Sequence, residues 1–189
     1  MIKFDNVSFS YNGKPVIKEF TLQIKEGDRI CFFGESGIGK TTLLRLIAGL
    51  EKADSGSLSV SEEATFSVTF QEDRLLSHIS LLENVLLFDN TGKAHEHIEA
   101  LGLSKSEGLY PSELSGGMAR RAAIARALSR DADIYLFDEA LSGLDSENEE
   151  IAAKHILNST KGKTFIMVSH NLRHAEMLGC RIIDLNKIL

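Results

Sequence analysis

The chain has 189 residues, 43% of them hydrophobic and 25% charged, with a formal net charge of -6. That length suits one well-buried domain better than two. The acidic balance gives no electrostatic basis for binding nucleic acid or an anionic membrane surface.

No apolar stretch approaches the roughly 18 residues that a membrane span requires. The best candidate, Ile79 to Phe88, is interrupted by Ser80, Glu83 and Asn84. The opening residues Met1-Ile2-Lys3-Phe4-Asp5 do not form a secretory signal. These features predict a cytosolic chain whose membrane location would come through a partner. Cys31 and Cys180 lack metal-ligand or CxxC spacing, and Cys31 reads as a small core residue.

In chain order, Val7–Phe9 and Phe20–Ile24 alternate with period two, as half-buried strands do, and Asn12-Gly13 between them is a hairpin turn signal with Pro15 close behind. Ile30-Cys31-Phe32-Phe33 is a short continuous apolar run, expected of a strand buried on both faces. Thr41 to Leu50 then reads as a helix with Leu43, Leu44, Ile47 and Leu50 on one stripe. Ser57–Val60 and Thr65–Phe70 read as strands. From Leu75 to Leu128 the spacing turns helical, ending in an Ala-rich stretch from Met118. Strands at 134–137, 164–168 and 181–185 then alternate with helices at 147–157 and 171–178. This order predicts an α/β fold: a mainly parallel core sheet, an N-terminal antiparallel β part and an inserted α-helical subdomain. We expect a single domain over 1–189, with a nucleotide-binding core at 1–74 and 129–189 and a helical subdomain at 75–128.

Gly34-Glu35-Ser36-Gly37-Ile38-Gly39-Lys40-Thr41 matches the P-loop pattern without a mismatch. Its glycines let backbone N–H groups close on phosphates, Lys40 reaches the terminal phosphates and Thr41 can hold Mg²⁺, with Thr42 following in the same turn. It lies between a predicted buried strand and a predicted helix, which is the context the motif needs. Asp138-Glu139 ends an apolar strand. Asp138 can hold Mg²⁺, and Glu139 can orient or deprotonate a water. Read without the P-loop, this pair is better taken as a solvated acidic turn after a core strand; with the P-loop present the chemical reading prevails. Leu114-Ser115-Gly116-Gly117 precedes the Ala-rich helix and is either a second anion cradle or a plain N-cap serine with glycines. The cluster Arg120, Arg121 and Arg126 reads as a solvated face or as ion pairs.

Together with Arg121 and Ala123-Ile124-Ala125-Arg126-Ala127-Leu128, that serine-glycine segment resembles the signature of ABC (ATP-binding cassette) ATPases. The resemblance covers almost the whole chain and implies a P-loop NTPase using ATP and Mg²⁺. It implies a second ABC ATPase subunit, as a homodimer, in which Ser115, Gly116 and Gly117 of one copy complete the ATP site of the other. It makes Gln71 the Q-loop glutamine, reaching Mg²⁺ or the attacking water. It puts Ser142-Gly143-Leu144-Asp145 in the D-loop, with Asp145 at the dimer interface. It makes His170 the switch histidine and Tyr11 the aromatic that stacks on adenine, although Tyr11 is equally an ordinary strand-end tyrosine. His78, His95, His97, His155 and His174 match no motif and read as surface or packing residues. Met118 stands where the family commonly has glutamine, and Ala140 where many members have proline.

Phe70-Gln71-Glu72-Asp73-Arg74-Leu75-Leu76, Leu82-Glu83-Asn84-Val85 and Pro111-Ser112-Glu113 are most similar to importer ATPases of the nitrate, sulfonate and taurine group. Ser77 departs from that group, which often has proline there, so no substrate carries over. The resemblance implies transmembrane permease subunits, a solute-binding protein, no nucleic acid, and a peripheral place on the inner face of the cell membrane. The end of the chain soon after His170 predicts no C-terminal regulatory domain. The competing expectation is a soluble ABC ATPase without a transport role, for example in cofactor assembly.

Overall fold

The fold is described from a computed structural model, for residues 1–188. Strands β1 (Ile2–Tyr11) and β2 (Lys14–Ile24) form a hairpin. Both turn residues, Asn12 (φ 49°) and Gly13 (φ 76°), have positive φ, as a two-residue hairpin loop demands. Pro15 is tolerated because β2 is an edge of the three-stranded antiparallel sheet, whose order is β2-β1-β4 with β4 at Ser55–Val60.

Both strands run further than their alternation suggests, because bulges reset the pattern. Phe4 and Val7 are both buried although three residues apart, and Asn6 between them has φ 50°. Ile17 and Phe20 repeat the arrangement around Glu19, φ 45°. Each bulge returns the next apolar side chain to the core face. Gly56 lies against the first bulge, where any Cβ would overlap the Asn6 carbonyl.

The second sheet has five strands in the order β5-β6-β7-β3-β8, every pair parallel. These are β3 (Arg29–Phe33), β5 (Phe66–Thr69), β6 (Ile134–Asp138), β7 (Thr164–Ser169) and β8 (Arg181–Asp184). The central strands are buried on both faces. Ile30, Phe32, Leu136 and Ile166 pack with helix α1 (Lys40–Ile47) and the antiparallel sheet. Cys31, Tyr135, Phe137 and Phe165 pack on the other side with helices α2 (Leu81–Leu86), α3 (Ala94–Ala100), α4 (Gly116–Leu128), α5 (Ser146–Ser159) and α6 (Leu172–Met177). Burial pushes the Cys31 thiol up to about 12, so it is an inert core residue.

One predicted helix is shortened. α1 stops at Ile47, Gly49 follows at φ 70°, and Leu50 is 57% exposed, so Leu50 does not belong to the buried stripe. Left-handed glycine just past a helix is a common stop, and it outweighs the apolar spacing here. Between β5 and β6 the chain makes α2, α3 and α4, so the helical part is inserted in the sheet as expected.

Candidate nucleotide site

The carboxyl ends of β5, β6, β7 and β3 lie side by side, and at that edge of a parallel sheet loops converge on ligands. The P-loop leaves β3 at Phe33 and enters α1 at Lys40. Gly37 (φ 85°) and Gly39 (φ 110°) hold left-handed conformations, and a Cβ on Gly39 would also run into Ile17 Cδ1 of β2 at 2.6 Å. Gly39 is the N-cap of α1 and has no side chain to bond its first turn, so that positive helix end is open to an anion. Lys40 is buried. Its Nζ donates to the carbonyls of Gly34 and Glu35, each at 2.8 Å, spanning the loop.

Asp138 ends β6 and is 3% exposed, and its Oδ1 is buried without a hydrogen-bond partner. Burial raises its pKa, the Thr41 side chain pulls it down, Glu139 pushes it up, and Lys40 and Arg45 lower it again. A buried carboxylate oxygen left over beside a threonine hydroxyl is a hard-oxygen donor set that suits Mg²⁺. Among the described residues no group of three or more His, Cys, Asp or Glu forms a metal cage. A magnesium ion shared with phosphates and water needs none.

Glu139 has φ 51°, a conformation few residues other than glycine adopt. The twist turns its carboxylate toward the end of β7. There Oε1 accepts from the backbone N–H of His170 at 3.1 Å and pairs with His170 Nδ1 at 2.9 Å. Oε2 accepts from the Ser142 hydroxyl at 2.7 Å. The Glu139 side chain is 11% exposed and that of His170 62%. A shielded carboxylate with an exposed imidazole on it is a geometry suited to holding a water.

One cavity of ≈ 350 Å³ is lined by Tyr11, Ser36, Gly37, Gly39, Lys40, Thr41, Thr42, Gln71, Asp138 and Glu139, with Val16 and Val168. Gly34, Glu35 and Ile38 form the rest of the loop behind it, and His170 joins through Glu139. Tyr11 stands edge-on to Phe9, with ring centroids 4.7 Å apart. Its hydroxyl donates to Glu51 at 3.3 Å and accepts from Arg45 at 3.4 Å.

Ser115, Gly116, Gly117 and Asp145 belong neither to this cavity nor to the loop around it. Ser115 caps α4, its hydroxyl accepting from the Met118 N–H at 3.3 Å, and Gly116 and Gly117 open that helix. Asp145 caps α5, accepting from the Asn148 N–H at 2.9 Å, and these bonds lower its pKa. Ser115, Gly116 and Asp145 are exposed.

The arginine cluster, expected as a solvated face or as ion pairs, makes one ion pair and otherwise binds main-chain carbonyls. Arg120 donates to the carbonyls of Phe70 (3.1 Å) and Gln71 (2.5 Å), Arg121 to that of Leu101 (2.7 Å), and Arg126 to those of Asp73 and Arg74 (both 2.8 Å). Arg120 also lies 3.1 Å from the Asp73 carboxylate. Main-chain carbonyls carry no side-chain signal, so spacing alone could not reveal these bonds. A second unforeseen group is buried behind His170. The His174 ring lies 3.1 Å from the Ser169 hydroxyl through Nδ1 and 3.1 Å from Glu149 through Nε2.

A family model described as ABC transporter matches residues 17–142. The ergothioneine transport ATP-binding protein EgtV of Helicobacter pylori is 34% identical over 209 residues, covering 100% of this chain and 98% of that protein. The aliphatic sulfonates import ATP-binding protein SsuB 3 of Paraburkholderia xenovorans is 38% identical, with 92% of this chain and 72% of that protein covered. The chain spans 53% of a third relative, the sulfate/thiosulfate import ATP-binding protein CysA 2 of Chromobacterium violaceum. Among solved structures, the dimeric post-hydrolysis state of the ATP-binding cassette MJ0796 bound to ADP and Pi aligns with a TM-score of 0.81 at 29% identity, over 94% of this chain and 91% of that one. The chain belongs to the ABC transporter ATP-binding family, and it is an ATPase of that family.

Proposed function

We propose that this chain is the ATP-hydrolysing subunit of an importer for a small solute, working as a pair of identical cassettes beneath transmembrane permease subunits, with a solute-binding protein supplying the cargo. The observation that carries this reading is an incomplete site. Lys40, Thr41, Asp138 and Glu139 converge on one cavity, while Ser115 and Gly116 stand exposed at the start of another helix. A second copy facing the first would bring its Ser115, Gly116 and Gly117 over the terminal phosphate, with Asp145 beside the junction.

In the assembled pair the P-loop N–H groups and Lys40 bind and orient the phosphates, and Tyr11 flanks the base. Thr41 and Asp138, with Gln71, would hold Mg²⁺. When bound, that ion neutralises the charge developing on the phosphates. Glu139 accepts the proton of the attacking water, and His170 aligns it. On this reading the chain divides into a core (1–74 and 129–189) and a helical subdomain (75–128), which meet just after Gln71.

A groove of ≈ 390 Å³ beside that segment is lined by Phe66, Val68, Phe70, Leu76 and Phe88, with Arg74 and Arg126. Leu86, Leu87 and Phe88 nearby are each more than 40% exposed. This apolar surface suits a helix from a permease. Among the described residues no helix is long and apolar enough to cross a membrane, which fits attachment through such a partner. Affinity-tagged chain purified from detergent-solubilised membranes of its own organism should retain a polytopic membrane protein in stoichiometric amount, and Leu87→Asp should release it. Recovery only with cytosolic partners would replace the transport reading with a soluble ABC ATPase.

A further inference from the structure

The segment that carries Gln71 has no ladder to hold it. β5 ends at Thr69, and regular structure resumes only at α2. Backbone carbonyls left out of a ladder need other partners. Here α4 supplies them: Arg120 spans the carbonyls of Phe70 and Gln71, and Arg126 spans those of Asp73 and Arg74. The Arg120 side chain is 14% exposed and also faces the Asp73 carboxylate, so its planar fork is fixed on two sides. Five residues separate Arg120 from Ser115, about 7.5 Å along the helix axis. One guanidinium thus joins the serine-glycine end of α4 to the main chain of a residue lining the nucleotide cavity.

We propose that Arg120 is a positioning residue for ATP turnover: its grip on the Phe70 and Gln71 carbonyls sets where the Gln71 side chain stands in the cavity, and carries movement of α4 to that side chain. The proposal rests on the reading that Gln71 faces the reacting phosphate. Arg120 does not line the nucleotide cavity, so its loss should act through the Gln71 segment that it holds. Lysine cannot replace it, since a single ammonium on a flexible stem does not hold two successive carbonyls in a plane.

The test is steady-state ATP hydrolysis by the purified full chain carrying Arg120→Ala, Arg120→Lys, Gln71→Ala or the pair Arg120→Ala/Gln71→Ala, with binding of a fluorescent ATP analogue measured in parallel. Arg120→Ala should lower kcat about tenfold while leaving KM and analogue affinity within about twofold. Arg120→Lys should fall between it and the wild type. In the Gln71→Ala background, Arg120→Ala should change kcat by less than about twofold, since the group it positions is gone. A full tenfold loss in that background overturns the proposal and leaves the role of Gln71 standing, as does a change in KM with kcat preserved. Unchanged turnover in Gln71→Ala overturns both. If Arg120→Ala melts early or aggregates, Arg120→Lys and the added pair Arg120→Lys/Gln71→Ala decide: a loss from Arg120→Lys that persists undiminished in the Gln71→Ala background overturns the proposal.

Discussion

Glu139 combines three features that fit a base: a left-handed backbone, a shielded carboxylate, and donors from His170 and Ser142 that fix both oxygens. Glu139→Gln keeps the shape and removes the proton acceptor. We expect it to bind ATP as the wild type does and to lose hydrolysis by about 100-fold or more, as read in single-turnover assays. Near-normal turnover would take the base role away from Glu139. At this scale the sequence was most legible where chemistry demands a fixed order of residue types. The P-loop could be named from its spacing, the paired carboxylates and Gln71 only with the help of the family resemblance, and the fold brings them to one cavity. Arg120 and Ser142 were harder, because what they touch is a main-chain carbonyl or a side chain whose orientation depends on one unusual φ. Asn84 was harder still. In the sequence it is a polar break in an apolar run. In the structure it is fully buried, accepts from the Leu76 N–H and donates to three carbonyls between Leu76 and Ser80, pinning the chain ahead of α2.

Among elements, the contact between α3 and α5 carries a dependence on pH. His97 of α3 is buried, and its Nδ1 lies 2.8 Å from Nε2 of His155 on α5. Burial and the neighbouring His155 push the His97 pKa down to about 4, Glu96 and Asp89 oppose the shift, and His155 is lowered by burial too. The unfolded chain therefore binds protons before the folded one does. Stability from this pair is fully present above the ordinary histidine pKa near 6.5 and is lost as pH falls toward 4, by an amount on the order of 3 kcal/mol. Thermal melts between pH 7.5 and 5 should show a falling Tm, and His97→Asn should flatten that slope. An unchanged slope in the variant would assign the acid sensitivity to other groups. Element type was legible here because helical spacing and buried apolar runs are strong signals. Element length was not: the bulges at Asn6 and Glu19 shift the period-two pattern, so each strand looks like a fragment of itself.

For the whole molecule, the exposed Ser115 and Gly116 decide whether one copy suffices. Ser115→Glu would set a carboxylate against the partner's phosphates while leaving the cavity of its own copy untouched. We expect near-normal ATP binding and loss of both ATP-dependent dimerisation and hydrolysis, visible by light scattering and phosphate release. Hydrolysis at the wild-type rate by a strictly monomeric variant would defeat the paired arrangement. The architecture was legible at this scale because strands and helices alternate after residue 129, while the sheet order β5-β6-β7-β3-β8 was not, since no local pattern records which strand becomes whose neighbour.

That order has a consequence for how the chain is made. β3, which launches the phosphate loop, sits between β7 and β8, and both of those neighbours lie more than 130 residues further along. A ribosome delivering residues in sequence releases Ile30-Cys31-Phe32-Phe33 long before either partner exists. Until Thr164–Asp184 emerge, that apolar segment has nothing to pair with, and such waiting segments invite aggregation. The strand that launches the phosphate loop is flanked on both sides only after Thr164–Asp184 have been made, so the capacity to bind nucleotide waits on those late neighbours.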